Sequence, residues 1–333
     1  MRILMTTDTV GGVWTFTSEL TQQLLQRGHS VHLVGFGRAP SGTQFLELRE
    51  IEQNSDEDFA FTPSETALEW MQENERVLDE GQALLTRIAS AFKPDLILSN
   101  QFCFGRLMTS VPRIVVAHSD VLSWARACKP SALEPTPWLN RYTSMVQAGL
   151  LDAAAVVTPT EWMGKALTAS FFLPRNYHVI PNGVSVGPAP DPPPDRKFQA
   201  VTAGRLWDEA KGLDTLRDHN LPLSLLVAGE NVFQSPEPNA SWPGNLVSLG
   251  PLSPTTLHAA FRESSFYLCT SRYEPFGLAP LEAALCGCAV VCRDIPSLRE
   301  VWGEGALYFS DNTSLAKIVQ ELGWDHQLLS QAQ

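Results

Sequence analysis

The chain has 333 residues, 44% of them hydrophobic and 18% charged. At ~150 residues per domain that is about two domains, and the apolar share rules out a disordered or fibrous chain. Lys and Arg total 24 against 36 Asp and Glu, a net charge of -12, which argues against nucleic acid and against docking on anionic lipid, since both rest on clustered cations.

Arg2–Thr7 reads as a buried strand, 10–13 as a glycine loop and 14–27 as a helix with Phe16, Leu20 and Leu24 on one face, stopped by Gly28. Val31–Gly35 is the next strand, and the polar residues 38–62 show no clear element. A long helix is expected from about Ser64 to Phe92, ended by Lys93-Pro94. Strands are expected at 95–99, 113–117, 155–158 and 178–180. Residues 181–197 hold six prolines, which continue neither a helix nor a central strand, so this stretch reads as an interdomain hinge. The rhythm then restarts, with strands expected at 198–203, 223–228, 246–249, 266–269, 289–292 and 307–309. Alternating strands and helices are the pattern of parallel α/β architecture. Two such units facing each other would place ligands in a cleft beyond the strand ends.

No apolar run reaches the roughly 20 residues of a membrane helix. The start, Met1–Asp8, is too short and too polar for a signal peptide. The six cysteines (103, 128, 269, 286, 288 and 292) lack metal or disulfide spacing and read as packing residues. A cytoplasmic location is therefore expected. Among familiar fingerprints, there is no G-x-x-x-x-G-K-[ST], Gly35-Phe36-Gly37 and Gly303-Glu304-Gly305 lack a third glycine, and no G-x-S-x-G elbow appears.

Four features carry chemistry. Gly11-Gly12-Val13, between the first strand and helix, is either a tight turn or a place where helix N–H groups meet an anion. Gly204-Arg205-Leu206 with Lys211-Gly212 follows a strand. Its two cations suit a diphosphate, unless Asp208 and Glu209 merely pair with them in a solvated loop. In Ser271–Ala284, Pro280 suits the first turn of a helix, which places Glu282 in that turn and Glu274 in the loop before it. Phe276, Gly277 and Leu278 can offer backbone N–H groups, and the two carboxylates can accept sugar hydroxyls; simple helix capping would explain Glu282 alone. Finally, His118-Ser119-Asp120 ends a strand, where a histidine can be structural or face a ligand.

The segment Glu274-Pro-Phe-Gly-Leu-Ala-Pro-Leu-Glu282 strongly resembles the E-x7-E motif of family 4 glycosyltransferases. Gly204-Arg205-Leu206 with Lys211-Gly212 resembles the diphosphate motif of that family, 180–184 (IPNGV) its sequence before the hinge, and Gly11-Gly12 its N-terminal glycine loop. The resemblance runs from the first strand to about Phe309. It implies the GT-B fold: two Rossmann-like, doubly wound α/β domains facing across a cleft, an acceptor-side domain at 1–184 and a nucleotide-sugar domain at 185–333. It implies a retaining transferase that moves a sugar from a UDP-, GDP- or other nucleotide-diphosphate sugar to an acceptor hydroxyl, with no cofactor and no metal. Arg205 and Lys211 would hold the diphosphate, Glu282 the ribose and Glu274 the donor sugar, with backbone contacts from Phe276, Gly277 and Leu278. Gly11 and Gly12 would approach the diphosphate, His118 the transferred sugar and Asp120 the acceptor, while Leu252 would offer its backbone to the base.

Asp56-Glu57-Asp58 reads as a solvated acidic loop rather than a metal motif. Asn182-Gly183 suits a turn into the hinge. Trp124, Arg126 and Trp138 are expected in an irregular segment, packing an inserted loop or stacking on an acceptor. Family members continue past a point like Phe309 with a helix that crosses back onto the first domain. Here one stretch, 314–322, is helical, so a short or missing crossing helix is expected. A catalytically silent sugar-nucleotide-binding partner and a nucleotide-sugar 2-epimerase are the alternatives that the same motifs allow.

Overall fold

In the computed structural model, which describes residues 1–55, 58–174, 176–192, 194–217, 221–230 and 245–324, the short apolar runs become the strands of two parallel sheets. The chain divides into two compact units, Met1–Gly183 and Val184–Gln333. No helix among the described residues is long and apolar enough to cross a membrane.

The first unit runs β1 (Arg2–Asp8), α1 (Gly12–Leu25), β2 (Ser30–Phe36), α2 (Gly42–Gln53), β3 (Phe59–Pro63), α3 (Val77–Phe92), β4 (Leu96–Ser99), a 3-10 turn (Phe102–Arg106), β5 (Arg113–Val116), α4 (Val121–Cys128), α5 (Pro137–Asp152), β6 (Ala155–Thr158), α6 (Glu161–Thr168) and β7 (His178–Val179). Its strand order is β3-β2-β1-β4-β5-β6-β7, with Met5 in register between Leu33 and Leu98. Helices cover both faces, so the central strands are apolar on both sides: Met5, Val31 and Leu33 pack with Trp14 and Leu25, while Val115 and Val156 pack with Tyr142, Val146 and Leu150.

The second unit runs β8 (Lys197–Ala203), a 3-10 turn (Glu209–Lys211), α7 (Asp214–Arg217), β9 (Ser224–Ala228), β10 (Leu246–Gly250), α8 (Pro254–Arg262), β11 (Ser264–Cys269), α9 (Leu278–Leu285), β12 (Ala289–Arg293), α10 (Pro296–Trp302), β13 (Leu307–Phe309) and α11 (Asn312–Trp324). Its order is β10-β9-β8-β11-β12-β13. Alternate residues of β11 enter opposite cores, Phe266 and Leu268 on one face, Tyr267 and Cys269 on the other. Both sheets therefore reverse their winding once, between β1 and β4 and between β8 and β11. In sheets of this kind the two loops leaving such a point diverge and open a crevice for a ligand.

Three expectations are corrected. The helix expected from Ser64 starts only at Val77. Residues 64–76 are drawn off by tertiary contacts that outweigh helix propensity: Leu68 is buried, the Glu69 carboxylate accepts from the N–H groups of Phe102 and Cys103, and Asn74 donates to the Glu69 carbonyl. The segment after His118 is not irregular. Asp120 caps α4 and Thr136 caps α5, and Trp138 anchors there by donating to the Met71 carbonyl at 2.7 Å. The polar stretch 38–62 contains α2, started by a capping box between Ser41 and Gln44. All six cysteines are free and five are buried.

Candidate active site

At the end of β8 the chain turns through Gly204 (φ 148°). A Cβ on Gly229, at the end of β9, would lie 1.8 Å from the Gly204 carbonyl oxygen, so the two strand ends press together with no room for a side chain. Buried Leu206 then pins the loop to the core. Arg205 donates to Asp208 at 2.7 Å and lies over the Trp207 ring. Asp208 is buried and caps the turn Glu209–Lys211 by accepting from Ala210 N–H. In this ion pair Asp208 is buried at the strand end while the Arg205 side chain stays partly exposed. The turn is stitched to the neighbouring strand end: Arg272 N–H donates to the Ala210 carbonyl and the Thr270 hydroxyl to the Lys211 carbonyl, both at 2.7 Å.

The stitch brings Lys211 Nζ to 2.7 Å from Glu274 Oε2. Ser271 donates to the same oxygen at 3.0 Å, so the recorded bonds of Glu274 leave its Oε1 uncommitted among the described residues. Burial alone would lower the Lys211 pKa, but the charge and hydrogen bond of Glu274 outweigh it and hold the ammonium above its ordinary range. Arg205, Lys211 and Glu274 are therefore gathered where the winding of the second sheet reverses. α9 starts beside them. Its cap, Gly277, is left-handed at φ 93° and supplies no side-chain cap. Pro280 has no N–H, which leaves those of Leu278 and Ala279 as the open donors of this helix end.

Glu282 is the fifth residue of α9, a turn deeper than expected from the sequence. It is buried, with Oε2 at 3.3 Å from His258 Nε2 of α8. Nothing local pointed to His258, which is 24 residues away in sequence. Phe276 is buried, and Leu252 is half-buried against the core beneath the sheet.

In the first unit, Gly11 (φ 93°) and Gly12 are exposed at the start of α1, where no side chain caps the helix. His118 follows β5. Its Nε2 lies 2.6 Å from Asn100 Oδ1, and Phe16 meets its ring edge-on with centroids 4.7 Å apart. Burial holds His118 down to about 4, so it is neutral at pH 7. Asp120, expected on the acceptor side, is buried: its Oδ1 accepts from the N–H groups of Leu122 and Ser123, and its Oδ2 from the Ser123 hydroxyl, so it caps α4. Asn100 was missed, although it stands directly after β4 at the point where the winding of the first sheet reverses. Of the acidic triplet, Asp56 and Glu57 lie outside the described residues, and Asp58 is an exposed partner of Arg2.

The family model Glycosyltransferase Family 4 matches residues 10–187 and the model Glycosyl transferases group 1 matches residues 194–327. No curated protein matches the chain. Among solved structures, sucrose-phosphate synthase from Thermosynechococcus elongatus is 16% identical, with a TM-score of 0.77 over 100% of this chain and 92% of that one. A TarM variant of S. aureus in complex with fondaparinux, alpha-GlcNAc-glycerol and UDP is 11% identical, with a TM-score of 0.66 over 99% and 94%. Arabidopsis thaliana UGT89C1 in complex with UDP-L-rhamnose is 12% identical, with a TM-score of 0.54 over 96% and 89%. At these identities the likeness speaks for the fold.

Proposed function

Since the chain belongs to glycosyltransferase family 4, we propose that it moves a sugar from a nucleotide-diphosphate sugar to an acceptor hydroxyl, with retention at the anomeric carbon and without a metal. The observation that carries this reading is the meeting of Arg205, Lys211 and Glu274 beside the uncapped start of α9. Neighbours of the same fold that hold UDP or UDP-L-rhamnose support a nucleotide-sugar donor.

The cations have different tasks. Arg205 grips the diphosphate through its planar fork, and Lys211 acts as a point charge. When a phosphate oxygen takes Lys211, Glu274 keeps its bond from Ser271 and accepts the hydroxyls of the donor sugar in place of the ammonium. Glu282, held by His258, accepts the ribose hydroxyls. The N–H groups of Gly277 and Leu278, after Phe276, meet the anion from α9, while Gly11 and Gly12 offer theirs at the start of α1. Leu252 offers backbone to the base, and His118 meets the transferred sugar.

In the chemical step the bond between the anomeric carbon and the phosphate oxygen breaks, and its electron pair leaves with the phosphate. The acceptor oxygen bonds to the same face of that carbon, and its proton passes to the departing phosphate oxygen. Charge grows on the phosphate in the transition state, and Arg205, Lys211 and the α9 donors stabilise it there more than in the ground state. Arg205 and Lys211 each give the diphosphate a cationic contact, and this supports the metal-free reading.

Calorimetric titration with UDP and GDP tests the assignment. Arg205→Ala and Lys211→Ala should each weaken binding by ~1.5–3 kcal/mol, the range for a charge-assisted hydrogen bond. Wild-type affinity in both variants overturns the donor site. Transfer should persist in EDTA, and its abolition by the chelator overturns the metal-free step.

A further inference from the structure

His118 does not stand alone at the end of β5. Its Nε2 is 2.6 Å from Asn100 Oδ1, and Asn100 is itself fixed at two points. Its side-chain Nδ2 donates to the Thr6 carbonyl at 2.6 Å, and its backbone N–H donates to the Thr6 hydroxyl at 3.0 Å. A carbonyl oxygen only accepts, so the atom facing Thr6 must be the amide nitrogen. The amide therefore has one orientation, and the atom facing His118 is its oxygen. An oxygen of this kind only accepts as well, so His118 must carry its proton on Nε2. Thr6 lies in β1, wholly buried, and Asn100 follows β4, so the chain of bonds spans the two strands where the winding of the first sheet reverses. Phe16 closes one side of the imidazole, edge to face.

We propose that Asn100 is a positioning residue that locks His118 in the Nε2–H tautomer and so turns Nδ1 into a lone-pair acceptor for a substrate hydroxyl. The inference rests on the reading that His118 meets the transferred sugar, and it narrows that contact. The lone pair at Nδ1 repels a phosphate oxygen and accepts an O–H. The partner of His118 is thus a hydroxyl-bearing group, and the imidazole orients it without giving or taking a proton.

The experiment uses the full chain labelled with 15N-histidine, with the His118 ring nitrogens assigned by their loss in His118→Phe. Wild type should show one pyrrole-like nitrogen, Nε2, and one pyridine-like nitrogen, Nδ1, at full separation. In Asn100→Ala that separation should narrow as the tautomers mix, and in Asn100→Asp, which offers no donor to the Thr6 carbonyl and whose charge favours the imidazolium, both nitrogens should move toward pyrrole-like shifts. Should Asn100→Ala fail to fold by thermal melting, the wild-type spectrum decides by which ring nitrogen carries the proton. A proton on Nδ1 in wild type, or a separation untouched by Asn100→Ala, overturns the proposal. Activity is read alongside: kcat/KM with donor and acceptor should fall about tenfold in Asn100→Ala, the size of one neutral hydrogen bond. Turnover at the wild-type rate in His118→Phe would instead overturn the contact between His118 and the sugar, whatever tautomer the spectra report.

Discussion

Lys211 and Glu274 occupy each other at 2.7 Å, and Arg205 and Asp208 do the same, so each cation of the proposed donor site already has an anion to lean on. That solves a problem of burial, because an isolated ammonium in such a place is costly. His118 solves the same problem the other way, by staying neutral. Its folded pKa, about 4, lies below the ordinary 6.5. Between those values the unfolded chain binds a proton at this position that the folded chain refuses. The contribution of His118 to stability is therefore present above about pH 6.5 and is lost as the pH falls toward 4. Denaturant midpoints measured from pH 7 to 4.5 should fall less steeply in His118→Phe than in wild type, and parallel slopes would contradict a buried neutral imidazole.

Among the elements, the loops after β8 and β11 matter most, and glycine sets their shape. Gly277 sits at φ 93°, and a Cβ there would lie 3.0 Å from Pro280 Cγ and 3.3 Å from Glu274 Cγ. Gly277→Ala should cost about 1–2 kcal/mol for the left-handed backbone alone and lower the melting temperature by a few degrees. It should also push Glu274 off its bond to Lys211 and raise the KM for the donor. Unchanged melting and an unchanged KM would show that the turn tolerates a side chain.

The strands were legible because parallel strands covered on both faces are short, continuous apolar runs, as in Ala289–Arg293. Motif order gave the donor loops, since Arg205, Lys211 and Glu274 follow such runs directly. Other features depend on partners distant in sequence. Glu69 is spent on the N–H groups of Phe102 and Cys103, which no local pattern reveals, so the helix start was misread by a dozen residues. Asp120 caps α4, and Asp followed by an apolar helical run is itself a capping signal. The Ser41–Gln44 capping box was readable too, but the polar composition around it hid α2.

As a whole molecule the chain carries two sets of cores, each made from one unit alone, and the segment 180–196 has no helix or strand among its described residues. Its unfolding is accordingly expected to show more than one transition. A nucleoside diphosphate at 100 times its Kd adds about 2.7 kcal/mol to whatever it binds. In scanning calorimetry UDP or GDP should raise the transition of the second unit and leave that of the first in place. One transition that moves as a block would show that the units unfold together.

The proline-rich joint has a consequence for heredity as well as for unfolding. Each sheet draws all its strands from one side of Gly183, so a crossover between two related genes at that point breaks no strand pairing. The half that carries His118 can be inherited separately from the half that carries Arg205 and Glu274. A lineage built this way can exchange one half while the sheet and cores of the other descend unchanged.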